Sequence, residues 1–215
     1  MLLLAFDTAS PTVTVALHDG SAVVARRDRE GAMRHGELLA PAIAEVLSEA
    51  AVDRGELTDV AVGVGPGPYT GLRVGIMTAR TLAAALPVRL HGVCSLDVVA
   101  ADAQRRLDGP LVVATDARRK EVYWARYDEA GHRVSGPAVD RPTELAAQLP
   151  AGLAVVGRGA QLYSDVLDAV DGPTDPDAGV LADLVVHDAV TQLAPEPLYL
   201  RRPDVRVPGE PKRVS

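Results

Sequence analysis

The sequence predicts an α/β protein made of two related halves, each a mixed sheet flanked by helices, and three observations carry that prediction. Short apolar runs bounded by Asp, Gly and Pro alternate with stretches of helical periodicity. The second half opens as the first does: residues 2–7, Leu-Leu-Leu-Ala-Phe-Asp, align with residues 111–116, Leu-Val-Val-Ala-Thr-Asp, and after four intervening residues Thr12 to Ala16 is answered by Glu121 to Ala125. Then Val60-Ala61-Val62-Gly63-Val64-Gly65 finds its counterpart in Ala154-Val155-Val156-Gly157-Arg158-Gly159, each a short buried strand ending in Gly-x-Gly before a helix. Matches in the same order at similar offsets favour an internal duplication, with one unit over residues 1–108 and a reduced second unit over 109–215.

Each element has a local reason. The continuous apolar run to Phe6 reads as a strand buried on both faces, and the alternation from Thr12 to Leu17, ending at Asp19-Gly20, reads as a second strand leading into a hairpin. Ser21 to Arg26 gives a third strand, followed by a charged connection from Arg27 to Gly36. Leu39, Ile43, Val46, Leu47 and Ala50 recur at helical spacing, which places a helix over about residues 38–51 with Pro41 in its first turn, where a missing N–H costs nothing. Val60 to Val64 is a strand, the Gly-Pro-rich stretch to Pro68 a loop, and Leu72 to Leu86 a helix stopped by Pro87. A strand over Val88 to Val93 and a helix over Ser95 to Leu107 complete the first unit. The proline-punctuated end, with Arg201, Arg202, Arg206, Lys212 and Arg213, reads as extended.

Composition removes several function classes. Of 215 residues 47% are hydrophobic and 24% charged, enough for a sizeable core. No apolar run has membrane-spanning length and the apolar start has no basic flank or cleavage signal, so a cytoplasmic protein without a membrane role is expected. One cysteine, Cys94, excludes an intramolecular disulfide framework and reads as a small core residue. The net charge of −7 and the 3% aromatic content argue against a chain that binds nucleic acid unaided. The five histidines lack metal-ligand spacing, so no metal is expected, and no Gly-x-Ser-x-Gly elbow marks a hydrolase.

Chemistry, if retained, would sit at the two repeated aspartates. An Asp at the end of the first strand of a hairpin, present in both halves of a duplicated α/β unit, is the layout of the actin-like ATPase and sugar-kinase superfamily, where such turns hold phosphate and metal. Those turns need small residues so that backbone N–H groups reach phosphate oxygens. Here they read Asp7-Thr8-Ala9-Ser10-Pro11 and Asp116-Ala117-Arg118-Arg119-Lys120, with no glycine in either. Two readings of Asp7 and Asp116 stay open: degenerate turns whose carboxylates accept local N–H groups, or a working nucleotide site in a small-molecule kinase or ATPase. The loop before the second helix, Gly63 to Gly71, lacks the Lys-Ser/Thr pair of a phosphate loop and loses two donors to Pro66 and Pro68. Behind it Gly71, Gly75, Ala79 and Ala83 form a small-residue stripe suited to a close helix contact, with the chain's own sheet or with a partner.

These strings resemble the TsaB family along almost the whole chain. The resemblance rests on Leu4 to Thr8 with Val13 to Leu17, His35 to Pro41, the run from Gly63 to Gly75 with Gly-Pro-Gly-Pro-Tyr-Thr-Gly-Leu-Arg at its centre, Gly92 to Leu96, Asp116 to Tyr123, and Tyr199 to Pro203. Departures are small: the family more often carries Ser-Phe where Pro68-Tyr69 stands and His-Ser-Glu where His35-Gly36-Glu37 stands. The resemblance implies an actin-like fold of two subdomains, no catalysis and no cofactor of its own, and service as the partner of the transferase TsaD, with the ATPase TsaE as third component, in forming N6-threonylcarbamoyladenosine on ANN-decoding tRNAs. It implies tRNA contact only through that complex; an apolar interface left open on the chain alone would be covered by self-association, so a homodimer is expected there. It also places the partner interface on helices over about residues 34–51 and 71–85, where Glu37, Leu38, Leu39, Ile43, Leu72, Gly75, Ile76 and Ala79 are the expected contacts.

Overall fold

The computed structural model describes residues 1–31 and 33–201. The first sheet has the order β3-β2-β1-β4-β5 and the second β8-β7-β6-β9, so the second repeats the first four strands and lacks the fifth. In each sheet the opening strand pairs antiparallel with the next one and parallel with a later one: β1 (Leu3–Asp7) with β2 (Thr12–His18) and β4 (Asp59–Gly63), and β6 (Leu111–Asp116) with β7 (Val122–Tyr127) and β9 (Ala154–Val156). The outer strands are β3 (Val23–Glu30), β5 (Arg89–Val93) and β8 (Arg133–Asp140).

Helices separate and cover the sheets. The side chains of β1 alternate between two cores, which is why its sequence is apolar throughout. Leu4 and Phe6 meet Leu39, Ile43 and Val46 of α1 (His35–Glu49) and Leu72, Ile76 and Ala79 of α2 (Tyr69–Ala85), whereas Leu3 and Ala5 face Leu181, Ala182 and Val185 of a helix from the far end of the chain. Between the sheets runs α3 (Ser95–Gln104), whose Leu96, Val99 and Ala103 pack on Leu111, Val113 and Tyr127 of the second sheet. The outer face of that sheet is covered by α4 (Pro142–Gln148) through Leu145 and by α5 (Arg158–Leu162) through Ala160. The far-end helix is α6 (Ala178–Val186); Asp177 caps it by accepting from the N–H groups of Gly179 and Val180, at 2.7 and 3.1 Å. Beyond α6 the chain stays with the first lobe as a strap: Leu193 N–H donates to Gly92 O at 2.8 Å, Leu198 N–H to Val64 O at 2.9 Å, and Arg80 Nε to Pro195 O at 3.0 Å. The basic end expected to be extended lies outside the described residues from Arg202 onward.

Two sequence expectations are corrected. The charged stretch after Arg26 continues β3 as an edge strand, because its arginines find acids on the flanking helices: Arg26 pairs with Asp177, Arg27 with Glu45 and Glu49, and Arg29 with Glu45. The first helix starts at His35 and not near residue 38, which puts Pro41 in its second turn. His35 is drawn into the helix by a 2.8 Å contact of its Nε2 with Ser10 O, and Pro41 sits on the exposed face, where its ring points away from the core.

The small-residue stripe of α2 is turned inward. A Cβ on Gly71 would stand 2.3 Å from Thr8 O, and the one that Gly75→Ala would add 2.4 Å from Thr8 Oγ1. Thr8 Oγ1 donates to Gly71 O at 2.8 Å, so the end of β1 is bonded into the groove that the glycines leave. Gly75→Ala should lower stability by about 1–3 kcal/mol despite its better helix propensity, because a fixed hydroxyl occupies the space. Urea denaturation of both single variants and of Thr8→Ala/Gly75→Ala should give a cost for the pair well below the sum, since removing the hydroxyl removes the clash; strict additivity would refute this packing account.

Candidate functional site

The two aspartate turns face one another across a cleft between the sheets, lined from the first lobe by Ala9, Ser10, His35, Pro66, Pro68 and Ser95 and from the second by Thr115, Asp116, Arg118, Arg158 and Asp175. Asp7, on the first strand, is 1% exposed. Its Oδ1 accepts from Ala9 N–H at 2.6 Å and its Oδ2 from Ser95 Oγ at 2.6 Å, and Ser95 Oγ in turn accepts from Gly65 N–H at 3.1 Å. The carboxylate lies over the backbone of β4: a Cβ at Gly63 would fall 1.7 Å from Asp7 Oδ2, so only glycine fits there. In the second turn Asp116 Oδ1 accepts from Arg118 N–H at 2.8 Å, and its other oxygen faces Arg118 Nε at 3.5 Å. Both aspartates therefore accept the N–H two residues ahead. Further donors are also spent within the turns, Thr12 N–H on Ser10 Oγ at 3.2 Å and Ala117 N–H on Glu121 O at 3.0 Å.

The cleft is filled by its own walls. Arg158 and Asp175 form a two-pronged ion pair on its second-lobe wall, with Nε to Oδ1 at 3.0 Å, and Thr12 Oγ1 reaches over from the first lobe to donate to Asp175 Oδ2 at 3.2 Å. What remains is about 20 Å³, space on the order of one water, against the several hundred Å³ of ordinary ligand sites. The Gly-Pro loop contributes to the filling, since a Cβ on Gly67 would lie 2.4 Å from Ala9 O and the loop rests directly on the first turn. Among the described residues no group of three or more His, Cys, Asp or Glu could hold a metal ion, and no helix is long and apolar enough to cross a membrane.

Of the eight expected interface residues, the structure places six inside the chain: Leu39, Ile43, Leu72, Gly75, Ile76 and Ala79 are buried against the first sheet. The periodicity that singles them out is that of a core-facing stripe. Glu37 is exposed and Leu38 half-buried. On the same two helices Pro41 and Ala44 are exposed, Val74 is half-buried, and Met77 is 55% exposed. The sequence reading missed Ser95, Arg158 and Asp175. A serine opening a helix directly after Cys94, and an arginine between the glycines of the second Gly-x-Gly, are the signals that mark two of them.

Arg201 closes the site from the side. It donates to Ala117 O at 2.8 Å and pairs with Glu121, both of the second turn, and its own carbonyl accepts from Tyr69 Oη at the start of α2. Tyr69 and Tyr199 have ring centroids 4.5 Å apart, and Arg73 donates through Nε to Tyr199 Oη at 2.9 Å. The strap thereby ties the outer flank of α2 to the second lobe.

Burial raises the Asp7 carboxyl from 3.8 to about 6, only partly offset by the Ser95 and Ala9 hydrogen bonds. The folded chain then holds this proton more tightly than the unfolded chain does. The stability this group contributes is full below about pH 4, is lost as the pH rises to about 6, and stays lost above, a swing on the order of 3 kcal/mol. The difference in unfolding free energy between Asp7→Asn and the parent should therefore favour Asn more at pH 7.5 than at pH 4, by about that amount in urea titrations. A difference independent of pH would show that Asp7 is not desolvated as the structure has it.

A family model described as TsaD, tRNA N6-adenosine threonylcarbamoyltransferase, matches residues 29–167. An uncharacterized protein of Mycobacterium tuberculosis is 40% identical over 209 residues, 95% of this chain and 93% of that protein. The Escherichia coli protein called tRNA threonylcarbamoyladenosine biosynthesis protein TsaB is 34% identical over 177 residues, 77% of this chain and 75% of the relative. Among solved structures, YeaZ from Pseudomonas aeruginosa superposes with a TM-score of 0.79 at 28% identity, over 93% of this chain and 99% of the other. The likeness runs through both duplicated sheets and the sequence between them, and by it the chain belongs to the TsaB family.

Proposed function

We propose that this chain is a non-catalytic subunit of the machinery that forms N6-threonylcarbamoyladenosine on ANN-decoding tRNAs, acting in the cytoplasm as the partner of a TsaD transferase together with TsaE. The observation that carries the reading is the filled cleft. A nucleotide entering it would have to break the Arg158–Asp175 pair, and the turn donors it would use are bonded to the turns' own acceptors. Loss of the phosphate-binding geometry with retention of the fold suits a protein whose task is to hold another. The contact surface is assigned to the outward faces of α1 and α2, through Glu37, Leu38, Pro41, Val74 and Met77, and the same face would mediate self-association in the partner's absence.

Size-exclusion chromatography with light scattering on the chain, on the TsaD of the same organism and on the mixture tests this directly. A heteromeric peak should replace the self-associated form. Met77→Glu and Leu38→Glu should each weaken association tenfold or more, about 1.4 kcal/mol, with the unfolding midpoint retained. Failure to associate at any concentration would defeat the proposal. Calorimetry showing tight Mg-ATP binding by the chain alone, lost in Asp7→Asn, would restore the kinase or ATPase reading in its place.

A further inference from the structure

The strap joins the two lobes once more, after the chain's own crossings ahead of β6 and ahead of α6. Residues 191–201 are half-buried or exposed throughout, and Pro195 and Pro197 among them bring no N–H donor. Leu193 and Leu198 nevertheless sit on the seam. Both pack against the first-lobe core that contains Leu4, Phe6 and Leu72, and both pack against the cluster of Cys94, Leu96, Leu111 and Tyr127 through which α3 meets the second sheet. At its start the strap lies on bare backbone, since a Cβ on Gly92 would stand 2.7 Å from Leu193 O and 3.0 Å from Ala194 O. At its end Arg201 fastens it to the second turn, through Ala117 O at 2.8 Å and Glu121, while the Arg201 carbonyl accepts from Tyr69 of α2. In between, Arg73 and Arg80 hold it to the flank of the same helix. A segment without a buried residue of its own, attached to bodies that have full cores, is the part of a fold that opens at the lowest free energy.

We infer that residues 192–201 form a latch, fastened to both lobes, that releases as one unit while the lobes stay folded. Release uncovers the seam beside Cys94 and frees Tyr69, Arg73 and Arg80 on the flank of α2, next to the outward face that carries Val74 and Met77. The surface that α2 offers therefore changes with the state of the latch. The inference stands apart from the scaffold reading, because it concerns contacts within the chain and needs no partner.

Cys94, the one cysteine of the chain, serves as the reporter. It is buried, and burial pushes its thiol up to about 12, so a disulfide reagent reaches it only through an opening. The test is the rate at which dithionitrobenzoate labels the full chain, at urea concentrations from zero to just below the unfolding transition. When reclosing outpaces labelling the rate reports the open fraction; release of a short strap makes it nearly independent of urea, whereas global unfolding makes it climb steeply. Tyr69→Phe/Arg201→Ala frees the end of the strap and Gly92→Ala wedges its start. Each should raise the urea-insensitive rate about tenfold or more, and together they should multiply, because contacts within one unit add in free energy. Glu121→Gln, made on the second lobe, should act in the same direction and add little on top of Arg201→Ala, since both remove one ion pair. Acceleration by Gly92→Ala with parent rates in Tyr69→Phe/Arg201→Ala would show that the two ends open separately, and would overturn the inference. So would a parent rate in Glu121→Gln, or labelling that tracks global unfolding in every variant. If Gly92→Ala fails to fold, the Tyr69→Phe/Arg201→Ala and Glu121→Gln rates decide alone.

Discussion

Asp7 is clamped between the N–H of Ala9 and the hydroxyl of Ser95, out of reach of water, and the first lobe is arranged around that clamp. The carboxylate needs Gly63 beneath it because any side chain there would occupy its oxygen. Ser95 must open α3 at that point, and through Gly65 the same hydroxyl fixes the start of the Gly-Pro loop. One residue later Thr8 enters the glycine groove of α2 and sets how closely that helix approaches the sheet. A buried carboxyl is costly, and this one is satisfied on both oxygens. Breaking either hydrogen bond would leave an uncompensated polar group, which ties the β1 end, the β4 end, α2 and α3 into one unit.

The same packing fills the cleft between the two turns with the chain's own groups. In a fold with hairpin turns aimed at a cleft, glycines ordinarily clear a path for phosphate. Here Gly67, Gly71 and Gly75 clear a path for the chain's own backbone and the Thr8 hydroxyl. The second Gly-x-Gly behaves alike, since Cβ atoms on Gly157 and Gly159 would lie 2.4 and 2.9 Å from Ala114 O. Close packing of the chain on itself accounts for glycine at these positions.

Much of the fold was legible because it depends on local pattern. The duplicated strand-Asp-turn-strand units, the Gly-x-Gly strand ends and the helical periodicities of α1, α2 and α3 mark short-range structure, and each has its element in the fold. What the pattern could not carry was direction and distance. Leu72, Ile76 and Ala79 form a stripe whether they face a sheet or a partner, and only the position of β1 decides it. The helix α6 was not read from the sequence, and its place across the first sheet comes from a return of the chain that no periodicity encodes. The ion pair of Arg158 with Asp175 joins residues 17 apart on the wall of the cleft, and Thr12 of the first lobe meets it only once both lobes are folded. Pro41 misled for a physical reason: a proline in the second turn is tolerable only on a solvent face, and exposure is a tertiary property.

α2 connects these features to function. Its inner face is fixed by Thr8, its N-terminal turn by Tyr69 against Arg201, and its flank by Arg73 and Arg80 against the strap. With those side chains bonded within the chain, the helix presents Met77 and Val74 from a backbone with little freedom left to lose. In the complex proposed above, association would forfeit less conformational entropy, because the ordering has already been done by folding. A cleft that has lost room for a ligand and a helix held from three sides are two consequences of the same close packing. That packing gives the outward face of α2 a rigid backbone.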